Sequence, residues 1–317
     1  MAKNKKRIVV IGGGTGVFTV LSGLKKYKNV ELSAIVTMAD DGGSAGMLRE
    51  EFGILPPGDI RRAIIALSRS DNKMLSELFN FRFKNGKGLT GHNFGNLMIT
   101  ALEQITGDFG KAIHEAEKIL QVEGKVIPVT LENAHLYAEL VDGRVIKGET
   151  NIDIPKHDGR LRIKRAWLKP AVSINPRALR AIKEADGVVI GPGDLFTSIM
   201  PNLLVKGMKE ALENTRAKKI YVVNIMTKFG ETHGFTASEF IKTIISILGE
   251  NVVDYAIINN RRPTLAQTKK YAEEKSMLVE WADLPKKPVS ILGDFLRTRS
   301  LIRHDPDKLA KVILSLV

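Results

Sequence analysis

A chain of 317 residues with 44% apolar and 26% charged residues is ordinary for a soluble globular protein, and it is long enough to bury a large α/β core. It has no cysteine, which excludes disulfides, thiolate metal sites and cysteine nucleophiles. The net charge of +13 reads first as a lysine-rich solvated surface; with 6% aromatics and no RNP, KH, zinc-finger or basic-zipper pattern, no nucleic-acid partner is expected.

Lys3 to Arg7 read as a basic tail. Ile8 to Ile11 is a short β-branched run of the kind a fully buried strand shows, and it is too short for a secretory signal. It breaks into Gly12, Gly13, Gly14, Thr15 and Gly16, after which Val17, Val20, Leu21 and Leu24 recur at helical spacing. A strand, a glycine turn and a helix N-terminus gather backbone N–H groups and the positive end of a helix dipole, an arrangement suited to phosphate. So many glycines carry an entropic cost that a plain turn need not bear. The turn departs from the dinucleotide fingerprint: Val17 stands where a third glycine belongs, and the second strand, Glu31 to Thr37, does not end in a ribose-binding acid. No G-K-[ST] follows either. The reading is a phosphate or nucleotide cradle that is neither standard NAD-binding nor ATPase-like, and a nicotinamide oxidoreductase is disfavoured.

Met38 to Gly46, with Asp40, Asp41, Gly42, Gly43 and Ser44, is too glycine-rich for a regular element. Its carboxylates suit either a solvated loop or a site that holds Mg²⁺ against ligand phosphates or hydrogen-bonds a sugar. After Pro56-Pro57-Gly58, Asp59 opens a helix with Ile60, Ala63, Ile64 and Leu67 on its buried face. Asp59 reads equally as an N-cap or a ligand group, and Arg61 and Arg62 as solvated or phosphate-facing. His92 is set apart from the other histidines only by its place at a helix start, where Asn93 and Asn96 suit a base or a sugar; no histidine pair has zinc spacing.

Residues 125–170 change pattern. Ala138 to Val141, Asp142-Gly143 and Arg144 to Lys147 give a hairpin signal, and with Arg160 to Leu168 they predict an antiparallel β insertion in a single domain over residues 1–317. Its purpose stays open. A helix over Pro176 to Ala185 and a buried strand over Gly187 to Ile190 follow. That strand exits into a second glycine turn, Gly191-Pro192-Gly193-Asp194, then Thr197, Ser198 and the helix-opening Pro201-Asn202. Lys219 to Asn224 is another strand, running on to Thr227, and Val252 to Ile258 another again. Helices over Thr264 to Glu274 and Lys308 to Val317 flank the segment Leu301 to Asp305. Strand after strand exits into Gly, Asp, Ser, Thr or Asn. In a doubly wound parallel sheet such exits share one edge and line the ligand crevice, so the fold expected is Rossmann-like α/β with a mainly parallel sheet. No apolar run approaches bilayer-spanning length, so a cytoplasmic protein without membrane insertion is expected.

Ile11 to Gly16, Ala39 to Ser44, Pro57-Gly58-Asp59, Gly91-His92, Gly95-Asn96-Leu97 and Gly191-Pro192-Gly193 with Thr197-Ser198 and Pro201-Asn202-Leu203 occur together. Over nearly the whole chain this pattern resembles the gluconeogenesis-factor family (YvcK-like), which is related to 2-phospho-L-lactate transferase (CofD-like). The resemblance implies a Rossmann-like fold and a cytoplasmic regulator without established catalysis. It implies binding of UDP-sugars such as UDP-N-acetylglucosamine, and a role in cell shape and envelope synthesis on gluconeogenic carbon sources. It places sugar-nucleotide contacts on Thr15, Tyr271 and Arg303, with Arg303 at the diphosphate. Envelope-synthesis proteins are the partners it admits, and a homo-oligomer is left open. No cofactor is required on this reading. Mg²⁺ beside a bound nucleotide, held by Asp40, Asp41 and Asp59, enters only with the alternative of a Mg²⁺-dependent phospholactate transferase. Met47, Asp194 and Phe196 depart from the family pattern, which often has Arg, Ser and Tyr there, and Asp194 brings a carboxylate into a turn otherwise suited to an anion.

Overall fold

The computed structural model describes residues 5–69, 73–298 and 301–317, so Lys3 and Asn4 of the basic tail lie outside the described residues. Its strands are β1 (Lys6–Gly12), β2 (Val30–Val36), β3 (Lys125–Pro128), β4 (His135–Leu140), β5 (Val145–Lys147), β6 (Ile163–Lys169), β7 (Gly187–Ile190), β8 (Lys218–Val222), β9 (Tyr255–Asn259) and β10 (Val289–Gly293). Seven of them form one sheet in the order β10-β9-β8-β7-β1-β2-β3, parallel at every pairing, and the other three form a small antiparallel sheet in the order β5-β4-β6.

Continuous apolar strands are what a sheet covered on both faces requires. Ile8 and Val10 of β1 enter a core shared with the helices Gly14–Leu24, Gly58–Leu67 and Pro306–Leu316, while Val9 and Ile11 enter a second core with the helices Pro176–Lys183 and Ala237–Leu248 and the small sheet. The α/β expectation with a mainly parallel sheet and an antiparallel β insertion therefore holds.

The chain winds outward from β1 through β2 to β3, returns to β7 on the other side of β1, and winds outward again to β10. Connections leave β1 and β7 in opposite directions, which opens a crevice beyond their carboxyl ends.

Four local expectations need correction. Lys6 and Arg7, read as tail, already pair with Val30 and Glu31 as the start of β1. Lys125–Pro128, placed in the antiparallel insertion, is a parallel edge strand against β2; two apolar residues between a lysine and a proline were too few to reveal which sheet they join. Gly43, Ser44, Ala45 and Gly46 are the first turn of a helix, Gly43–Phe52, rather than loop. Gly46 is there because a Cβ would stand 2.1 Å from the Asp41 carbonyl oxygen. Finally, Asp59 is not an N-cap: Pro57 holds that position, without a side-chain hydrogen bond, and Asp59 lies inside the helix Gly58–Leu67.

Candidate functional site

A cleft of about 1070 Å³ lies at the carboxyl ends of the central strands. The first glycine turn and the 40–44 segment both line it, which brings together the two stretches on which the sequence reading depends. Gly193, Thr197 and Ser198 of the second turn, Thr227, Tyr271 and Arg303 line it as well.

The two glycine turns are packed against each other. Gly191 N–H donates to the Ile11 carbonyl at 2.8 Å, and Asn202 Nδ2 donates to the Gly12 carbonyl at 3.2 Å. A Cβ on Gly16 would lie 1.9 Å from the Pro192 carbonyl oxygen, so this glycine lets one backbone rest on the other. Gly14 needs its freedom for a different reason, since its φ is +62° where the chain bends into the helix.

Part of the anion-favouring end of the turn is already held by Asp59. Its Oδ1 accepts from Gly14 N–H at 2.9 Å, and a Cβ on Gly13 would stand 2.4 Å from its Oδ2. Burial pushes the Asp59 carboxyl up, opposed by the Arg62 guanidinium 3.4 Å away and by the Gly14 N–H. Asp40, close to Asp59, is pushed up to about 6 by burial and by the charge of Asp59, although Gly42 N–H donates to it at 2.9 Å.

Several sequence-chosen residues turn out to support the cleft from behind. Gly12, Asp41, His92, Asn93, Gly191 and Asn202 do not line it. Asp41 accepts from the Glu149 and Thr150 N–H groups at 3.1 and 2.8 Å, which caps the short helix Glu149–Asp153 leading out of β5. Ser44 Oγ accepts from Asn93 N–H at 3.0 Å and from Asn96 Nδ2 at 3.2 Å, and lies 3.5 Å from His92 Nδ1. Asn93 Oδ1 in turn accepts from Asn96 N–H at 3.2 Å, so Asn93 is the helix cap that Asp59 is not. Asn96 Oδ1 accepts from Arg61 Nε at 3.0 Å, and burial lowers the Arg61 guanidinium to about 10. Arg61 is thus a buried strut in the cleft wall, and Arg62, 45% exposed, lines the cleft beside it.

Residues that sequence reasoning missed supply much of the wall. Glu149, Asp153 and Pro155 line the cleft, so the insertion contributes one side of it. Burial, followed by Asp40 and Asp153, pushes Glu149 up to about 9. Glu231 is buried and accepts from Phe196 and Thr197 N–H at 2.9 and 3.2 Å and from Thr197 Oγ1 at 3.0 Å. Lys228 bonds Asp153 of the insertion and Asp194 of the second glycine turn, the latter at 3.1 Å. Burial opposes its charge, but Asp194, Glu231 and Asp153 outweigh that and hold the ammonium protonated above its ordinary range. The carboxylate that Asp194 brings is therefore neutralised. No periodicity marks Lys228 or Glu231; their proximity to Asp153 and Asp194 is a product of the fold.

The three carboxylates read as Mg²⁺ ligands fit that role poorly, because Asp41 does not line the cleft and turns both oxygens to backbone N–H groups of the insertion. Among the described residues the carboxylates whose oxygens converge within 4.8 Å are Asp153, Asp194 and Glu231, and Lys228 already pairs with two of them.

Arg303, which lines the cleft, is exposed and makes no ion pair among the described residues, while Tyr271 is half-buried beside it. No helix of the described residues is long and apolar enough to cross a membrane.

Comparison with known proteins accords with this geometry. Residues 8–293 match the model of the family described as 2-phospho-L-lactate transferase CofD. Among curated proteins, the chain is 41% identical to the gluconeogenesis factor of Bacillus subtilis, over 99% of this chain and 98% of the relative. It is 42% identical to the gluconeogenesis factor of Halalkalibacterium halodurans, over 98% of this chain and 96% of the relative. A crystal structure of a Bacillus halodurans protein superposes with a TM-score of 0.93 at 42% identity, covering 98% of this chain and 99% of that one. The chain therefore belongs to the family of 2-phospho-L-lactate transferase CofD and the gluconeogenesis factors.

Proposed function

We propose that this protein is a cytoplasmic, non-catalytic sensor of UDP-sugars, with UDP-N-acetylglucosamine as the leading ligand. As a gluconeogenesis factor it would support cell shape and envelope synthesis during growth on gluconeogenic carbon. The observation that carries the reading is the shared cleft, in which the Gly13–Gly16 turn and Thr15 lie in one cavity with Tyr271 and Arg303. A helix N-terminus and an unpaired arginine are complementary to a diphosphate, and the remaining volume accommodates a nucleoside and a sugar. The test is the melting temperature of the protein with UDP-N-acetylglucosamine, UDP, GDP and NAD. A ligand at a hundredfold its dissociation constant adds about 2.7 kcal/mol of stability. Absence of any shift with every UDP-sugar defeats the proposal.

A second reading, a phosphotransferase of the phospholactate type, is favoured by the family model itself and by Asp40, whose raised carboxyl is suited to proton transfer near neutrality. The engagement of Asp41 by the insertion counts against a three-carboxylate Mg²⁺ site. Turnover of a nucleotide-activated phospholactate donor with a deazaflavin acceptor and Mg²⁺ supports this second reading, and inactivity removes it.

A further inference from the structure

Arg303 is carried by residues 301–305, which belong to no helix or regular strand. Such a segment holds a long cation over a cleft only where something fixes its backbone. Ties on one side run to the neighbouring stretch: Arg297 N–H donates to the Arg303 carbonyl at 2.9 Å, and Asp305 N–H donates to the Phe295 carbonyl at 2.7 Å. The other side is held by the buried ring of His304, which bonds the Val223 backbone, and by one side-chain oxygen that bonds Ile302. Tyr271 Oη accepts from Ile302 N–H at 3.0 Å and donates to the Ile302 carbonyl at 3.2 Å. One hydroxyl thus closes both main-chain groups of the residue immediately before Arg303, and Ile302 is only 5% exposed. The Tyr271 ring packs with Met226 and Leu278 against Ile225, Leu296 and Ile302, so the phenol is anchored before it bonds.

A phenol has one proton, and here it is given to Ile302, so Tyr271 has no O–H left to donate to a ligand. We propose that Tyr271 is a positioning residue: its hydroxyl latches Ile302 and so aims Arg303 at the anionic part of the bound ligand. This inference rests on the reading of the cleft as a UDP-sugar site, and the experiment separates the two.

The variant Tyr271→Phe keeps the ring and removes only the hydroxyl. Its affinities for UDP and for uridine are measured against the parent, alone and combined with Arg303→Ala. The latch predicts about a tenfold loss for UDP and under about twofold for uridine, the scale of removing hydrogen bonds to a buried main chain. It also predicts no further loss for UDP when Tyr271→Phe is added to Arg303→Ala, because the two residues then act through one interaction. Equal losses for UDP and uridine, or losses that add in the double variant, mean that Tyr271 touches the ligand itself and overturn the proposal. A ligand-free arm follows the amide hydrogen exchange of Ile302, which is about tenfold faster in Tyr271→Phe if the latch exists. Failure of the parent protein to bind UDP refutes the UDP-sugar reading. In that case unchanged Ile302 exchange in Tyr271→Phe still refutes the latch.

Discussion

Gly16 offers the sharpest test of how the two glycine turns are assembled. It lies in the helix Gly14–Leu24, where an alanine in an open setting is favoured over glycine by about 1 kcal/mol. The structure predicts the opposite sign. The added Cβ would sit 1.9 Å from the Pro192 carbonyl oxygen and 2.4 Å from its carbonyl carbon, both backbone atoms of the second turn. Overpacking of this kind costs about 1–3 kcal/mol, and a main-chain neighbour, which cannot swing aside, belongs at the top of that range. Set against the helical gain, Gly16→Ala is expected to lose about 2 kcal/mol. At an unfolding entropy of about 2 cal/mol/K per residue, that lowers the melting temperature of a chain this long by about 3 °C. Affinity for UDP should fall as well, since the turns must part to admit the methyl group. Gly110→Ala is the matched control: it is also helical, and its Cβ would meet only the Asp108 carboxylate, at 3.2 Å. That variant should be neutral or slightly stabilised by differential scanning calorimetry. A Gly16→Ala protein that melts at or above the parent temperature refutes the back-to-back packing.

Asp40→Asn should stabilise the ligand-free protein at pH 8. The folded carboxyl titrates at about 6, above its ordinary value of 3.8, so burying its ionised form costs stability that is regained as pH falls through 6. The two-unit difference corresponds to about 3 kcal/mol at most, and the advantage of the variant should vanish below about pH 4 in urea titrations across pH. Ser44→Ala leaves the Asn93 N–H and Asn96 Nδ2 donors without their acceptor inside the protein, a loss of about 2 kcal/mol by chemical denaturation. A loss below 0.5 kcal/mol would mean the network around Ser44 is dispensable. Lys228→Met removes the cation between Asp153 and Asp194. As these groups are partly exposed, the loss should fall between surface and buried pairs, about 1–3 kcal/mol. It should shrink at high ionic strength, and a loss independent of salt would contradict the electrostatic account.

The sheet was legible because each central strand is buried on both faces and so reads as an unbroken apolar run, as in Ile8 to Ile11 and Gly187 to Ile190. Its edges were not. β3 has only Val126 and Ile127 between a lysine and a proline, and β10 mixes exposed and half-buried positions, so neither carries that signature. The glycine turns stood out by composition, but their meaning changed in three dimensions: Gly13 and Gly16 are small so that Asp59 and Pro192 can approach. A polar residue beside a turn reads the same whether it faces a ligand or braces the loop. That is why Asn93 and Asn202, chosen as ligand contacts, prove to cap a helix and to tie Gly12 in place, while Lys228 and Glu231, in the exit of a strand, were not chosen.

Asp40 and Asp41 are adjacent, yet one looks into the cleft and the other grips the helix that leads out of β5. The helix that follows β5 is consequently tied to the very loop that delivers a carboxylate to the cavity. A shift of that helix would therefore act on the Asp40 carboxylate from one residue away.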